Sequence, residues 1–142
     1  MTAAAVVDTS VLVGRADADD QHHAVATEIV AGIDRETLPR GHVTNYLVLE
    51  TLNWIHGRRR HSTATAFYET MNESAGFEIH HAPQKDFDRA RELFATYDGL
   101  AFGDATAVAY MEREGIEYVY SFDDDFDAVE GVTRLATPAD PF

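Results

Sequence analysis

The sequence predicts an α/β fold built on a mostly parallel sheet. Short apolar runs of strand length alternate with longer stretches whose apolar residues recur at helical spacing, the pattern of strand–helix–strand units. The chain has 142 residues, 45% of them hydrophobic, which is enough for one domain (1–142) with a real core. Two aspartates, Asp8 and Asp123, lie just past the ends of expected strands. In parallel α/β sheets ligands bind beyond the carboxyl ends of strands, where the strand order reverses.

The elements follow in order. A buried strand near 3–8 ends at Asp8, and Asp8-Thr9-Ser10 opens a helix. A helix near 22–33 carries Ala24, Ala26, Ile29, Val30 and Ile33 at helical spacing. A strand near 38–43 leads into a helix near 44–57, expected to be buried because apolar residues point in nearly every direction around it. A helix near 63–74 carries Phe67, Tyr68 and Met71, and Phe77-Glu78-Ile79-His80 reads as a short strand. Pro83 opens a helix to about Tyr97 whose inward face should include Phe87, Ala90, Leu93 and Phe94. Asp104 starts a helix that Gly115 ends. Residues 116–121 form a buried strand, and a last short strand lies near 132–136.

Four acids stand out against this frame. Asp8 closes the run Ala3-Ala4-Ala5-Val6-Val7, and Glu50 lies in the apolar segment 46–55. Asp104 follows Phe102-Gly103, and Asp123 follows Tyr118-Val119-Tyr120-Ser121-Phe122. Carboxylates at the ends of apolar elements are costly to bury unless something positive neutralises them, and a divalent metal ion is the simplest candidate. Each has a plainer reading too. Asp8 and Asp104 fit helix N-caps, Glu50 fits a buried pair with an arginine or histidine, and Asp123-Asp124-Asp125 fits a solvated acidic turn anchored by Phe126.

Composition excludes several classes. No cysteine is present, so there is neither a disulfide framework nor a thiolate metal site. The N-terminus lacks a basic region and meets a charge too early for a signal peptide, and no apolar run approaches the ~20 residues of a membrane span. A cytoplasmic protein without a membrane partner is expected. The net charge is -14, from 25 acidic and 11 basic residues, with Lys85 the single lysine. Strong salt removes most of the self-repulsion of such a chain, which points to a halophilic, high-salt cytoplasm; an ordinary acidic domain is the alternative.

Taken together, Asp8-Thr9-Ser10, Glu50 in its apolar helix, Phe102-Gly103-Asp104-Ala105 and Ser121-Phe122-Asp123-Asp124-Asp125-Phe126 resemble the motifs of PIN-domain proteins, most closely the VapC-type ribonuclease toxins. The motifs occur in the family's order along the whole chain, while residues 57–80 match only loosely. The resemblance implies a three-layer α/β/α domain with a five-stranded sheet. It also implies an endoribonuclease that hydrolyses single-stranded RNA with Mg²⁺ or Mn²⁺ held by Asp8, Glu50, Asp104 and Asp123. Ser121 would orient the pocket and Asp125 would be an auxiliary acid. A small antitoxin and a homodimer follow by the same analogy. An RNA-processing nuclease without an antitoxin and a non-catalytic binding or assembly module are the alternatives.

Arg58-Arg59-Arg60 is the only basic cluster, read either as complementing a helix C-terminus or as contacting the RNA backbone. The seven histidines, including His22-His23 and His80-His81, lack a zinc-type spacing and read as surface or strand-end residues. A haloacid-dehalogenase-type phosphatase would need a second aspartate where Ser10 stands, and a receiver domain would need a late lysine.

Overall fold

The computed structural model describes residues 3–142. The chain runs β1 (Ala4–Val7), α1 (Thr9–Ala16), α2 (His23–Asp34), β2 (Arg40–Thr44), α3 (Asn45–Arg58) and α4 (His61–Glu73). It continues through β3 (Phe77–His80), α5 (Gln84–Thr96), α6 (Phe102–Glu114), β4 (Tyr118–Tyr120), a 3₁₀ turn (Asp124–Ala128) and β5 (Thr133–Leu135). All five strands are parallel, in the order β3-β2-β1-β4-β5. Val6 lies opposite His42 on one side and Val119 on the other, so the order reverses at β1 and opens a crevice beyond β1 and β4.

Successive strand side chains face opposite sides of a sheet, yet Ala5, Val6 and Val7 are all fully buried. Helices therefore cover both faces, giving the expected three layers. Local chemistry fixes the helix ends. Thr44 Oγ1 accepts the Leu47 N–H at 3.3 Å and caps α3. Gly115 ends α6 at φ 69°, a left-handed conformation that costs glycine nothing. Among the described residues no helix is long and apolar enough to cross a membrane.

Two expectations need correction. Helix α3 is not buried all round: only Leu47, Thr51 and Ile55 are covered, and Leu49 stays 59% exposed. Its apolar residues do point in every direction, but its neighbours cover a single stripe. In α5 the inward residues are Asp86, Ala90 and Leu93, whereas Phe87 and Phe94 are exposed and meet Phe102 edge-on. Asp86 takes the inward position because Arg113 on α6 meets it with Nε at 2.7 Å and Nη2 at 3.1 Å. A bidentate guanidinium makes a buried carboxylate tolerable where an isolated one would not be.

That pair yields a stability prediction. Arg113→Ala leaves Asp86 buried without its partner and should cost about 3 kcal/mol in urea unfolding at constant salt. A loss below about 1 kcal/mol would show that Asp86 finds water or another partner.

Candidate active site

The crevice beyond β1 and β4 holds Asp8 at the end of β1 and Ser121 at the end of β4. The Asp8 N–H donates to Tyr120 O at 3.0 Å, which fixes the chain as it leaves the sheet. Its carboxylate is buried. Oδ2 accepts from Ser10 Oγ at 2.9 Å and from Ser121 Oγ at 2.8 Å. Both hydroxyls also accept, Ser10 from the Phe122 N–H at 3.1 Å and Ser121 from the Asp123 N–H at 3.0 Å. Two serines thus tie the first strand's turn to the acidic loop after β4. Asp8 Oδ1, equally buried, has no hydrogen-bond partner.

The cap readings do not hold. Asp8 occupies the N-cap position of α1, but its carboxylate caps nothing. Asp104 is the third residue of α6, inside its first turn, and lies 94% buried. Burial, then the negative charge of Asp8, pushes its carboxyl up to about 9; a hydrogen bond to Asp123 and the charges of Asp123 and Glu50 add to the shift. Burial also raises Asp8, opposed by the Ser121 and Ser10 hydroxyls and by the nearby amides of Ser10 and Thr9. Neither amide completes a bond to Oδ1.

Asp104 is therefore the group around which Asp8, Glu50 and Asp123 assemble. Glu50 itself is exposed rather than paired with an arginine or histidine, since it projects from the uncovered side of α3 toward the start of α6. A Cβ at Gly103 would stand 2.5 Å from Glu50 Oε2, so the Glu50 carboxylate lies close against the first turn of α6. Asp123 accepts the Asp125 N–H at 3.0 Å and starts the 3₁₀ turn, while Phe126 is fully buried and anchors it. Asp125 is exposed, its carboxyl raised chiefly by the charge of Asp123. No three of Asp8, Glu50, Asp104 and Asp123 have oxygens all within 4.8 Å of one another, whereas Asp123, Asp124 and Asp125 do.

The basic cluster lies farther off. Eight residues separate Glu50 from Arg58, about 12 Å along a helix. Arg58 lies over the Trp54 ring at 4.9 Å, and Arg59 is engaged by Asp17 and by Asp19 at 3.2 Å. Arg60 stands exposed where α4 begins. Sequence reasoning named Ser10 only as part of a motif and missed Thr51. The Thr51 hydroxyl, fully buried in α3, donates to Thr9 Oγ1 at 3.3 Å and couples the Glu50 helix to the Asp8 turn. A buried threonine one residue after an isolated Glu was the available signal.

The residues fit a hard divalent cation. Every donor is oxygen, one buried carboxylate oxygen lacks a partner, and burial with three neighbouring acids pushes the Asp104 carboxyl up to about 9.

Residues 5–132 match the PIN domain. The chain is 29% identical over 124 residues to the 23S rRNA-specific endonuclease VapC20 of Mycobacterium tuberculosis, covering 86% of this chain and 91% of that protein. The crystal structure of VapC20, described as a sarcin–ricin loop cleaving toxin, superposes with a TM-score of 0.75 at 28% identity, covering 87% of this chain and 92% of that one. A toxin–antitoxin complex from Klebsiella pneumoniae shares the fold, with a TM-score of 0.64 at 19% identity over 96% of this chain and 98% of the matched chain.

The raised Asp104 carboxyl has a measurable consequence. The folded protein keeps a proton that the unfolded chain releases near pH 3.8, so stability falls as pH rises from about 4 towards 9. Asp104→Asn removes that loss. With chelator and constant ionic strength, the variant should melt on the order of 5 °C above the parent at pH 8 and level with it at pH 4, and Mn²⁺ should narrow the gap at pH 8. A gap independent of pH would exclude this carboxyl as its origin.

Proposed function

The chain belongs to the PIN-domain family, and on that footing we propose that it is a Mg²⁺- or Mn²⁺-dependent endoribonuclease of the VapC type, the toxin of a toxin–antitoxin pair. The observation that carries the reading is the unpartnered, buried Oδ1 of Asp8 in a crevice shared with the carboxyls of Asp104, Asp123 and Glu50. Asp8, Glu50, Asp104 and Asp123 are the residues that would hold the ion. Bound there, it supplies charge neutralisation for a phosphodiester and a more acidic attacking water.

The chain's own residues do the rest. Ser10 and Ser121 hold Asp8 by Oδ2, so that Oδ1 is the oxygen left for the ion. Glu50 reaches the crevice against the first turn of α6. Asp125, exposed beside Asp123, would be an auxiliary acid at the rim. Arg58 and Arg60 are available to contact backbone phosphates beyond the cut, while Arg59 is occupied by Asp17 and Asp19. 23S rRNA is the first substrate to test, because VapC20 cuts it.

Protein partners fit the exposed apolar band on α3 and α5. Leu49, Phe87 and Phe94 are 59%, 39% and 50% exposed, with Tyr46 and Phe102 beside them. Such a band supports a small antitoxin and a second copy of the chain.

Two outcomes test this reading. Asp8→Asn keeps the side chain's shape but loses the ligand charge, and should lower RNA cleavage at least 100-fold with the fold intact by circular dichroism. Full activity in the folded variant would remove the assignment. The second outcome concerns salt. Ten of the 11 basic residues are arginines, and five of these (Arg40, Arg59, Arg89, Arg113 and Arg134) are engaged by carboxylates, so little basic surface remains to attract RNA at long range. At 1 M salt the screening length is about 3 Å, which suppresses repulsion of RNA by the acidic surface as well. We expect cleavage to persist or rise from low to molar KCl at saturating metal, as a halophilic protein requires. A steady fall while the protein stays folded would overturn that expectation.

A further inference from the structure

Three histidine and glutamate side chains converge on the face of the sheet covered by α6. His42 and Glu78 are register partners on β2 and β3, and His80 lies two residues beyond Glu78 on the same face. All three therefore project to one side, although 36 residues of chain separate the strands' contributions. Glu78 Oε1 lies 2.9 Å from His80 Nε2 and 3.7 Å from His42 Nε2, and the two rings stack with centroids 4.5 Å apart. Glu78 Oε2 is taken by Arg40, which leaves Oε1 for the histidines.

We infer that His42, Glu78 and His80 form a site for a borderline divalent cation, Zn²⁺ above all, which fastens edge strand β3 to β2. Three lines of geometry support it. In a tetrahedral zinc site with ligands near 2.05 Å, neighbouring donor atoms stand about 3.3 Å apart, and the two observed separations bracket that value. His42 Nδ1 is 2.8 Å from the Tyr110 hydroxyl; in the tautomer whose Nδ1–H donates to Tyr110, Nε2 presents its lone pair to the site. Glu78 and His80 are a third exposed, so an ion can enter and a water can complete the coordination.

The environment favours a neutral ligand set. Arg40 offsets the charge of Glu78, which makes the site a weak competitor for Mg²⁺, and two imidazoles favour zinc over the hard ions suited to the acid crevice. The two sites are separate. The His42, Glu78 and His80 ligands stand on β2 and β3, whereas the acid crevice lies beyond the ends of β1 and β4. The sequence concealed this site because its ligands lie on two strands separated in the chain by α3 and α4 and share no helical motif.

Cobalt(II) alone is the probe, because four-coordinate Co²⁺ with nitrogen ligands absorbs strongly in the visible and six-coordinate Co²⁺ among carboxylates does so weakly. The full chain should show the strong band, and Zn²⁺ should displace it. His80→Ala, at an exposed position, should abolish it with the fold intact, and Tyr110→Phe should weaken binding about 10-fold by freeing the His42 ring. Asp8→Asn, in the other site, should leave the band unchanged. Absence of the band in the folded chain, its survival in His80→Ala, or its loss in Asp8→Asn would each overturn the inference. Should Tyr110→Phe fail to fold, His80→Ala and Asp8→Asn still decide it.

Discussion

Asp8 is buried at the point where the strand order reverses, with one carboxylate oxygen held by two serines and the other held by nothing. Burying an ionised carboxylate without full compensation is expensive, and a fold retains such a group when something outside the chain completes it. Around this constraint the rest of the crevice is arranged. Ser10 and Ser121 lock β1 to β4, and their spare acceptor capacity fixes the loop that carries Asp123. The Thr51–Thr9 hydroxyl contact carries the same restraint to α3 and hence to Glu50.

Asp104 shows what the arrangement costs without positive charge. It lies in the first turn of α6, where a helix N-terminus favours a negative group. Burial and three neighbouring acids nevertheless overcome that preference and keep it protonated. The helix end should favour ionisation of this carboxyl, and its surroundings push it the other way. Stability is given up at this end of the sheet, and the opposite case is Asp86, whose buried carboxylate receives a full guanidinium from Arg113. The chain can neutralise a buried acid when it needs to, and in the crevice it does not.

Much of this was legible in the sequence, for identifiable reasons. Fully apolar runs ending in an acid marked β1 and the β4 loop, because parallel strands are buried on both faces and ligands gather at their carboxyl ends. Phe126 anchors the acidic turn as its spacing implied. Burial around helices was less legible. Helix α3 is apolar in every direction, and periodicity does not reveal which stripe the neighbours cover, so Glu50 read as buried when it is exposed. The inward place of Asp86 depends on Arg113, 27 residues away, and displaced the expected Phe87 and Phe94 from the core. The hydroxyl contacts and the His42–Glu78–His80 group arise from register between strands, which one-dimensional spacing does not encode.

The central claim is that a cation completes Asp8. Anomalous diffraction at the manganese edge, from crystals grown with Mn²⁺ at neutral pH or above, tests it most directly. A peak about 2.1–2.2 Å from Asp8 Oδ1, with Asp104 among its neighbours, is the expected result. A manganese peak confined to the exposed Asp124 and Asp125, with Oδ1 hydrogen-bonded to a water alone, would contradict it.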